Sequence, residues 1–197
     1  MFEGLKDEIT RRRALWITPF AFAGLVAVSS RKEDRSEASV SANGSSPDVV
    51  IVPFTDAGER LAPTTVAKVI RSDAQWRSRL DSEQFYVTRR QGTDTAFTGT
   101  YYQIHDRGLF RCICCGNALF GSDAKFDSGT GWPSFSAPVA DENIRTHRDM
   151  SMFIERTEVV CTRCDAHLGH LFMDGPEPSY RRYCINESSL TFVRYSA

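Results

Sequence analysis

From residue 48 onward, hydrophobic positions fall in short runs separated by clusters of glycine, proline and aspartate. The runs are rich in β-branched and aromatic residues, which is the pattern of strands joined by turns. Strands and helices do not alternate, so the pattern predicts a small, mainly antiparallel β domain. The predicted strands and extended stretches cover residues 49–52, 64–70, 108–113, 152–160 and 190–195.

Two short helices are predicted ahead of the main β segments. Ser72 is followed three residues later by Gln75, and Asp81 is followed in the same way by Gln84. Each pair has the form of a capping box, in which two side chains satisfy backbone N–H groups at a helix start. The first helix is predicted to run through Leu80, and the second to begin at Asp81.

The first 47 residues differ in character from the rest of the chain. Three arginines at 11–13 precede an apolar run at 14–28, and small and charged residues follow. This pattern is typical of an export signal, and the paired arginines after Thr10 resemble a twin-arginine signal. The alternatives are a membrane anchor over residues 14–30 and a buried N-terminal helix.

We therefore predict four segments and an exported, periplasmic or extracytoplasmic protein. They are an export signal or membrane anchor at 1–30, a flexible linker at 31–47, a short β extension at 48–71 and the main domain at 72–197. The linker is assigned because it is rich in serine, alanine and charge and has almost nothing to bury.

Composition narrows the class of protein without identifying it. A chain of 197 residues with 41% hydrophobic residues can form one domain with a real core. The formal net charge of −1 argues against nucleic acid as a partner. Six cysteines are too few for a scaffold of this size to depend on disulfides.

Four of the six cysteines form two CxxC pairs, Cys112 with Cys115 and Cys161 with Cys164. Two such pairs predict a tetrahedral zinc site with four thiolate ligands, and a site closed in this way is structural. Gly116, directly after the second ligand, suits the tight turn of a zinc knuckle. The alternative is two local disulfides, which would not tie distant parts of the chain together.

Cys184 remains as a candidate nucleophile. A thiol becomes reactive when a cation or a hydrogen-bond donor favours its thiolate. Arg182, His167 and His170 are candidate cations, and Asn186 is a candidate donor. A lone buried cysteine is more often an inert small hydrophobe, but polar and cationic neighbours on both sides of Cys184 favour a reactive role.

Several ordered motifs are similar to those of the methionine-R-sulfoxide reductase B family. The similarity covers about residues 72–193. The main motifs are SGTGWPSF at 128–135, CxxCxxHxxH at 161–170 and RYCIN at 182–186, with FTG at 97–99, DGP at 174–176 and LxF at 190–192.

This resemblance implies a fold of two antiparallel sheets and reduction of methionine R-sulfoxide, in proteins or possibly free. Cys184 resembles the nucleophile, which attacks the sulfoxide sulfur and becomes a sulfenic acid. The other implied roles are proton placement for His170, His167 and Asn186 with bound water, thiolate stabilisation for Arg182, and contact with the substrate methyl group for Trp132 and, secondarily, Phe172.

One position departs from the pattern of many family members. They carry a second, resolving cysteine where this chain has Thr130. The resemblance therefore implies that an external small thiol or a thioredoxin-like protein reduces the sulfenic acid on Cys184. Cys114, the remaining thiol, is the alternative resolver. We expect the enzyme to be a monomer with no organic cofactor.

Two other classes of protein compete with this interpretation. A zinc-ribbon-like interaction module without activity would keep the CxxC pairs but would not need Cys184, Trp132, His170 and Asn186 together. A thiol oxidoreductase that uses CxxC as a redox pair would need a metal-free CxxC at a helix start.

Overall fold

A computed structural model of the chain describes residues 46–151 and 155–196. Within these described residues, the fold has two helices, eleven strands and four short 3-10 turns. The helices are α1 (Asp73–Arg77) and α2 (Ser82–Arg90). The strands are β1 (Asp48–Ile51), β2 (Thr64–Ala67), β3 (Gly108–Cys112), β4 (Ala118–Gly121), β5 (Lys125–Phe126), β6 (Ser134–Phe135), β7 (Ile144–Asp149), β8 (Arg156–Cys161), β9 (His167–Phe172), β10 (Arg182–Ile185) and β11 (Leu190–Arg194).

Both predicted helix starts are confirmed. In α1 the Gln75 N–H donates to Ser72 Oγ at 3.3 Å, and the Ser72 N–H donates to Gln75 Oε1 at 2.9 Å. Asp81 and Gln84 form the same reciprocal pair at the start of α2. The prediction that the first helix reaches Leu80 is wrong. Asp81 must be extended to cap α2, so the chain leaves the helical conformation before it.

All strand pairs are antiparallel, as the sequence pattern predicts. A six-stranded sheet has the order β5-β6-β10-β9-β8-β7, and a three-stranded sheet has the order β11-β3-β4. These are the two sheets that the resemblance implies. The β extension predicted at 48–71 contributes β1 and β2, which pair with each other as a separate small sheet. The predicted stretch 64–70 is a strand only to Ala67.

The core lies between the two larger sheets and is largely aromatic. Phe110 on β3 and Phe120 on β4 face Phe135 on β6, with ring centroids 4.9 and 4.5 Å from that of Phe135. All three rings are fully buried. Such packing contributes both burial of apolar area and favourable ring–ring contacts. It fixes β6, and with it the neighbouring strand β10.

A buried asparagine fastens the N-terminal extension to the domain. Asn143 accepts from the Val52 N–H at 2.7 Å and donates to Val52 O and Ala118 O, each at 2.8 Å. Buried backbone N–H and C=O groups need hydrogen-bond partners. The Asn143 side chain supplies both partners for Val52, the residue that follows β1.

The predicted segments 1–30 and 31–47 lie outside the described residues, except for positions 46 and 47. The predicted strand at 152–160 is present from Arg156, and residues 152–154 also lie outside the described part. Among the residues that the structure describes, no helix is both long and apolar enough to cross a bilayer.

Candidate active site and metal centre

The two CxxC pairs come together as one cluster. Cys112 is the last residue of β3, and Cys161 is the last residue of β8. The residue that follows each pair has a left-handed backbone, with φ of 73° at Gly116 and 54° at Asp165. This turn lets each pair direct two sulfur atoms to the same point. The predicted role of Gly116 is consistent with this geometry, and Asp165 fills the same place in the second pair.

The sulfur atoms are spaced as a single metal ion requires. Cys112 Sγ lies 3.6 Å from Cys164 Sγ, Cys115 Sγ lies 3.6 Å from Cys161 Sγ, and all four lie within 4.8 Å of one another. Four thiolates at tetrahedral zinc have S···S separations of roughly 3.8 Å. All six cysteines are free thiols, and neither His167 nor His170 belongs to the cluster.

Neighbouring side chains hold the second CxxC pair in place. Arg89 on α2 donates to Cys164 O at 2.9 Å, and Asn117 Nδ2 lies 3.7 Å from Cys161 Sγ. The Asp165 carboxylate pairs with both Lys68 and Arg145. The cluster is therefore supported from α2, from the β extension and from β7.

Cys184 lies in the middle of β10, directly between β6 and β9. It is opposite Ser134 on one side and His170 on the other. The half-buried thiol borders a cleft of about 160 Å³. The cleft is lined by Thr93, Trp132, Arg156, Gly169, His170, Phe172, Cys184 and Asn186. Five of the sequence-predicted catalytic and substrate-contact residues thus line one cleft. A sixth, Arg182, lies next to the cleft because its guanidinium packs on the Phe172 ring.

Burial and charge act on the Cys184 thiol in opposite directions. Burial raises its pKa, whereas the Arg182 guanidinium and the Thr130 hydroxyl lower it; the pKa is raised on balance. Of the predicted cations, Arg182 acts on this thiol, and burial outweighs its effect on the pKa.

Arg182 is itself fixed by two contacts. It forms a bidentate ion pair with Asp174, with both distances 2.8 Å, and its guanidinium carbon lies 4.4 Å from the centroid of the Phe172 ring. The Asp174 carboxylate raises the pKa of Arg182, and the guanidinium in turn lowers the pKa of Asp174. Arg182 therefore stays charged beside the thiol and supports one wall of the cleft.

His170 is held by a carboxylate that the sequence pattern does not reveal. Its Nε2 lies 2.8 Å from Asp149 Oδ2, and Arg156 contacts the same oxygen at 2.6 Å. The Ser151 backbone N–H, with further help from His170 and Arg156, lowers the pKa of Asp149. Asp149 is therefore an anion that fixes the orientation of the His170 ring.

His167 lies behind His170 and does not line the cleft. Their ring centroids are 5.4 Å apart. His167 Nδ1 lies 2.7 Å from Glu158 Oε1, while its buried Nε2 has no hydrogen-bond partner. Burial lowers the pKa of His167, so this ring is neutral near pH 7.

Asn186 lines the cleft, but its side-chain amide is already engaged. It accepts from the Asp94 N–H at 3.0 Å and donates to Leu168 O at 3.1 Å. Asp94 O in turn accepts from the Trp132 indole N–H at 3.0 Å. Asn186 therefore positions the loop that orients Trp132.

The two possible resolving positions are in different surroundings. The Thr130 hydroxyl lowers the pKa of the Cys184 thiol and lies 2.8 Å from the hydroxyl of Ser128. Cys114 lies within the first CxxC pair and is not among the residues that line the cleft.

The sequence pattern also misses Thr93, Gly169 and Arg156 as lining residues. A Cβ on Gly169 would lie 2.0 Å from Cys184 O, so only glycine allows β9 to approach β10 here. The signal for Gly169 is its place between two histidines of a β-rich motif. No local signal marks Thr93 or Arg156.

The raised pKa of Cys184 predicts how its alkylation depends on pH. The rate of labelling at Cys184 should increase as pH rises through its pKa, because only the thiolate reacts. Arg182→Gln removes the main charge that opposes burial, so the midpoint should move up by about one pH unit. Mass spectrometry of iodoacetamide-labelled peptides measures the rate at Cys184 alone. Arg181→Gln, a neighbouring exposed arginine, is the control; an equal shift in both variants would contradict a specific role for Arg182.

Comparison with known proteins agrees with this geometry. The SelR domain family matches residues 80–194. The chain is 53% identical over 125 residues to Peptide methionine sulfoxide reductase MsrB of Hahella chejuensis, which covers 64% of this chain and 90% of that protein. It is 49% identical over 127 residues to the protein of the same name from Methanosarcina mazei, covering 64% and 91%. The chain therefore belongs to the methionine sulfoxide reductase B family and carries its SelR domain.

Proposed function

We propose that this protein reduces methionine R-sulfoxide, in polypeptides or as the free amino acid, with Cys184 as the nucleophile. The observation that carries the proposal is the position of the Cys184 thiol. It lies at a cleft with two aromatic walls, Trp132 and Phe172, and directly across the strand pair from His170. Membership of the methionine sulfoxide reductase B family supports this oxidoreductase activity. Selectivity for the R epimer rests on the family resemblance.

The reaction moves one oxygen atom and two electrons. Cys184 Sγ attacks the sulfoxide sulfur as a thiolate and forms an S–S bond, while the substrate oxygen takes up a proton and leaves as hydroxide. This oxygen then adds to Cys184 Sγ, and the S–S bond breaks with its electron pair going to the methionine sulfur. The products are methionine and a sulfenic acid on Cys184, so the sulfoxide is reduced and the thiol is oxidised. The Cys184 thiol releases one proton and the departing oxygen takes up one proton, so the reaction consumes no net proton.

His170 is the group best placed to move this proton. It lies opposite Cys184 on the neighbouring strand and borders the same cleft. Asp149 holds its Nε2, which restricts the ring to one orientation. His167 supports His170 from behind, where a water molecule could join the two rings. Asn186 acts by positioning Trp132 through Asp94.

The aromatic walls suit the apolar part of the substrate. Trp132 receives the methyl group on sulfur, because its indole N–H is tied to Asp94 O and its ring cannot turn away. Phe172 forms the second wall and is covered by the Arg182 guanidinium. The polar sulfoxide oxygen and the apolar methyl group are thus bound on different sides of the cleft. This arrangement gives a physical basis for distinguishing the two epimers of methionine sulfoxide.

The four-cysteine cluster holds zinc in this proposal. Its donor set and spacing suit tetrahedral Zn²⁺, which has a structural role when all four positions are taken by protein. The cluster is separate from the Cys184 cleft, so the metal supplies no step of the reaction.

An external thiol regenerates Cys184. Thr130 occupies the position beside the thiol and cannot form a disulfide, whereas Cys114 lies between two residues of the four-cysteine cluster and does not line the cleft. A small thiol or a thioredoxin-like protein must therefore attack the sulfenic acid from outside. The basic and apolar pattern at residues 11–28 supports export of the enzyme, with a membrane anchor as the alternative.

Replacement of Cys184 tests the function. Cys184→Ser should lower turnover by more than about a thousandfold while the domain stays folded, because serine lacks a comparable nucleophile. Each epimer of methionine sulfoxide is assayed with a chemical dithiol, and circular dichroism checks the fold. Cys114→Ser is the matched control and should keep full activity on the R epimer. Retained activity in Cys184→Ser would reject the nucleophile, and equal wild-type rates on both epimers would reject the selectivity.

Removal of metal tests the second site. Structural zinc contributes on the order of 10 kcal/mol of apparent binding free energy, so its loss should unfold the domain. Cys161→Ser should lower zinc content and melting temperature together, whereas Cys114→Ser, between two ligands, should change neither. Metal analysis and thermal melts measure both. A zinc-free protein that melts at the native temperature would show that the assignment is wrong.

The fate of the oxidised enzyme tests the one-cysteine cycle. After one turnover without reductant, Cys184 should carry a sulfenic acid that a dimedone-type probe can trap. Thr130→Cys should instead form an internal disulfide and increase turnover with a thioredoxin-like donor. Intact-mass and peptide mass spectrometry distinguish these products. A disulfide between Cys184 and Cys114 in the wild-type protein would overturn this scheme.

A further inference from the structure

Phe97 is an exposed aromatic residue in a backbone conformation that its side-chain type rarely adopts. Its φ is 64°, in the left-handed region that favours glycine and asparagine, and its side chain is 60% exposed. A bulky residue in this region is strained, and burial in the core does not compensate for the strain. Such outliers tend to occur where a binding site requires them.

The loop that carries Phe97 is fixed at both ends and in the middle. The Asp94 N–H donates to Asn186 Oδ1 at 3.0 Å, and the Tyr101 N–H donates to Glu187 Oε2 at 2.7 Å. Between them the Phe97 N–H donates to Gly131 O at 3.0 Å. The aromatic ring is therefore presented to solvent on a rigid support, so little conformational entropy is lost when a partner binds it.

The Phe97 ring lies at the edge of the Cys184 cleft. Phe97 covers Gly131, where an added Cβ would lie 2.7 Å from its ring. The residues on either side of Gly131 are Thr130, whose hydroxyl lowers the pKa of the Cys184 thiol, and Trp132, which lines the cleft. The Tyr102 ring meets Phe97 edge to face, with centroids 5.8 Å apart. We call Phe97 and Tyr102 the aromatic rim.

The volume of the cleft determines how much of a polypeptide substrate remains outside it. Its volume of about 160 Å³ is smaller than the roughly 300–1,000 Å³ of sites that enclose a whole small ligand. A cleft of this volume accommodates one amino-acid side chain. When the oxidised methionine belongs to a polypeptide, the main chain and the neighbouring residues must therefore lie over the surface around the cleft, which includes the aromatic rim.

We propose that the aromatic rim binds an apolar side chain next to the oxidised methionine of an unfolded or extended polypeptide. This inference rests on the proposed function and specifies its preferred substrate. Exposed, rigid aromatic side chains beside a pocket commonly dominate the energetics of protein recognition. Methionines buried in cores have apolar neighbours, so the rim favours segments that become accessible when a protein unfolds.

Peptide selectivity tests the inference. The substrates are free methionine R-sulfoxide and two short peptides that carry the R-sulfoxide between alanines or between leucines, with a small dithiol as reductant. Phe97→Asn removes the ring but keeps a residue that tolerates left-handed φ. It should lower kcat/KM for the leucine-flanked peptide by about threefold to tenfold, mainly through KM. Free methionine sulfoxide should be unaffected.

Two further variants act as controls. Phe97→Tyr keeps the ring and should retain the preference for leucine-flanked peptide. Ile70→Ala removes a residue that is 63% exposed but lies outside the cleft and the loop, and it should change nothing. Equal loss on all three substrates would mean that Phe97 only shapes the cleft, and no loss would leave the rim without a role in recognition.

The remaining outcomes distinguish other causes. If Phe97→Asn raises only the KM for a thioredoxin-like reductant, the rim binds the reductant and the inference is overturned. Absence of wild-type turnover on every substrate would instead contradict the proposed function. Fluorescence anisotropy of the labelled peptides with Cys184→Ser protein then decides the rim question without turnover: weaker binding of the leucine-flanked peptide by Phe97→Asn supports it, and equal binding rejects it.

Discussion

The position of the Cys184 thiol depends on the four-cysteine cluster. Cys112 ends a strand of the three-stranded sheet and Cys161 ends a strand of the six-stranded sheet, so the cluster joins two sheets that share no ladder hydrogen bonds. Strand β9 begins only three residues after Cys164. Its pairing with β10 then places His170 opposite Cys184. The four-cysteine cluster in this way sets the register of the proposed catalytic site.

The environment of Cys184 balances two opposing effects. Burial stabilises the neutral thiol, and Arg182 stabilises the thiolate but shares its charge with Asp174. Because burial is the larger effect, the thiol retains its proton near neutral pH. A protonated thiol is also a protected one, since only the thiolate reacts readily with unwanted electrophiles. In the proposed reaction, the proton that this thiol releases is available for the oxygen that leaves the substrate.

Local signals made much of this structure predictable. Capping boxes locate both helix starts, CxxC spacing locates the metal cluster, and residues two apart on a strand, such as Arg182 and Cys184, share a face. Features that depend on pairing between distant segments were not predictable. Asp149 meets His170 only through the register of three adjacent strands, and the two-residue strand β6 is too short to give a periodic pattern.

A row of hydroxyl groups lies beside the Cys184 sulfur. Ser128 Oγ is 2.8 Å from both Thr130 Oγ1 and Ser134 Oγ, Ser134 is opposite Cys184 in the sheet, and the Thr130 hydroxyl lowers the pKa of the Cys184 thiol. Hydroxyls can hydrogen bond to a sulfenic acid, but they cannot remove its oxygen. The lifetime of the oxidised enzyme is then set by the supply of thiol around it. Where that supply fails, further oxidation to the sulfinic acid would inactivate the enzyme irreversibly. Under the proposed cycle, in strongly oxidising surroundings this protein would be consumed by the damage that it repairs.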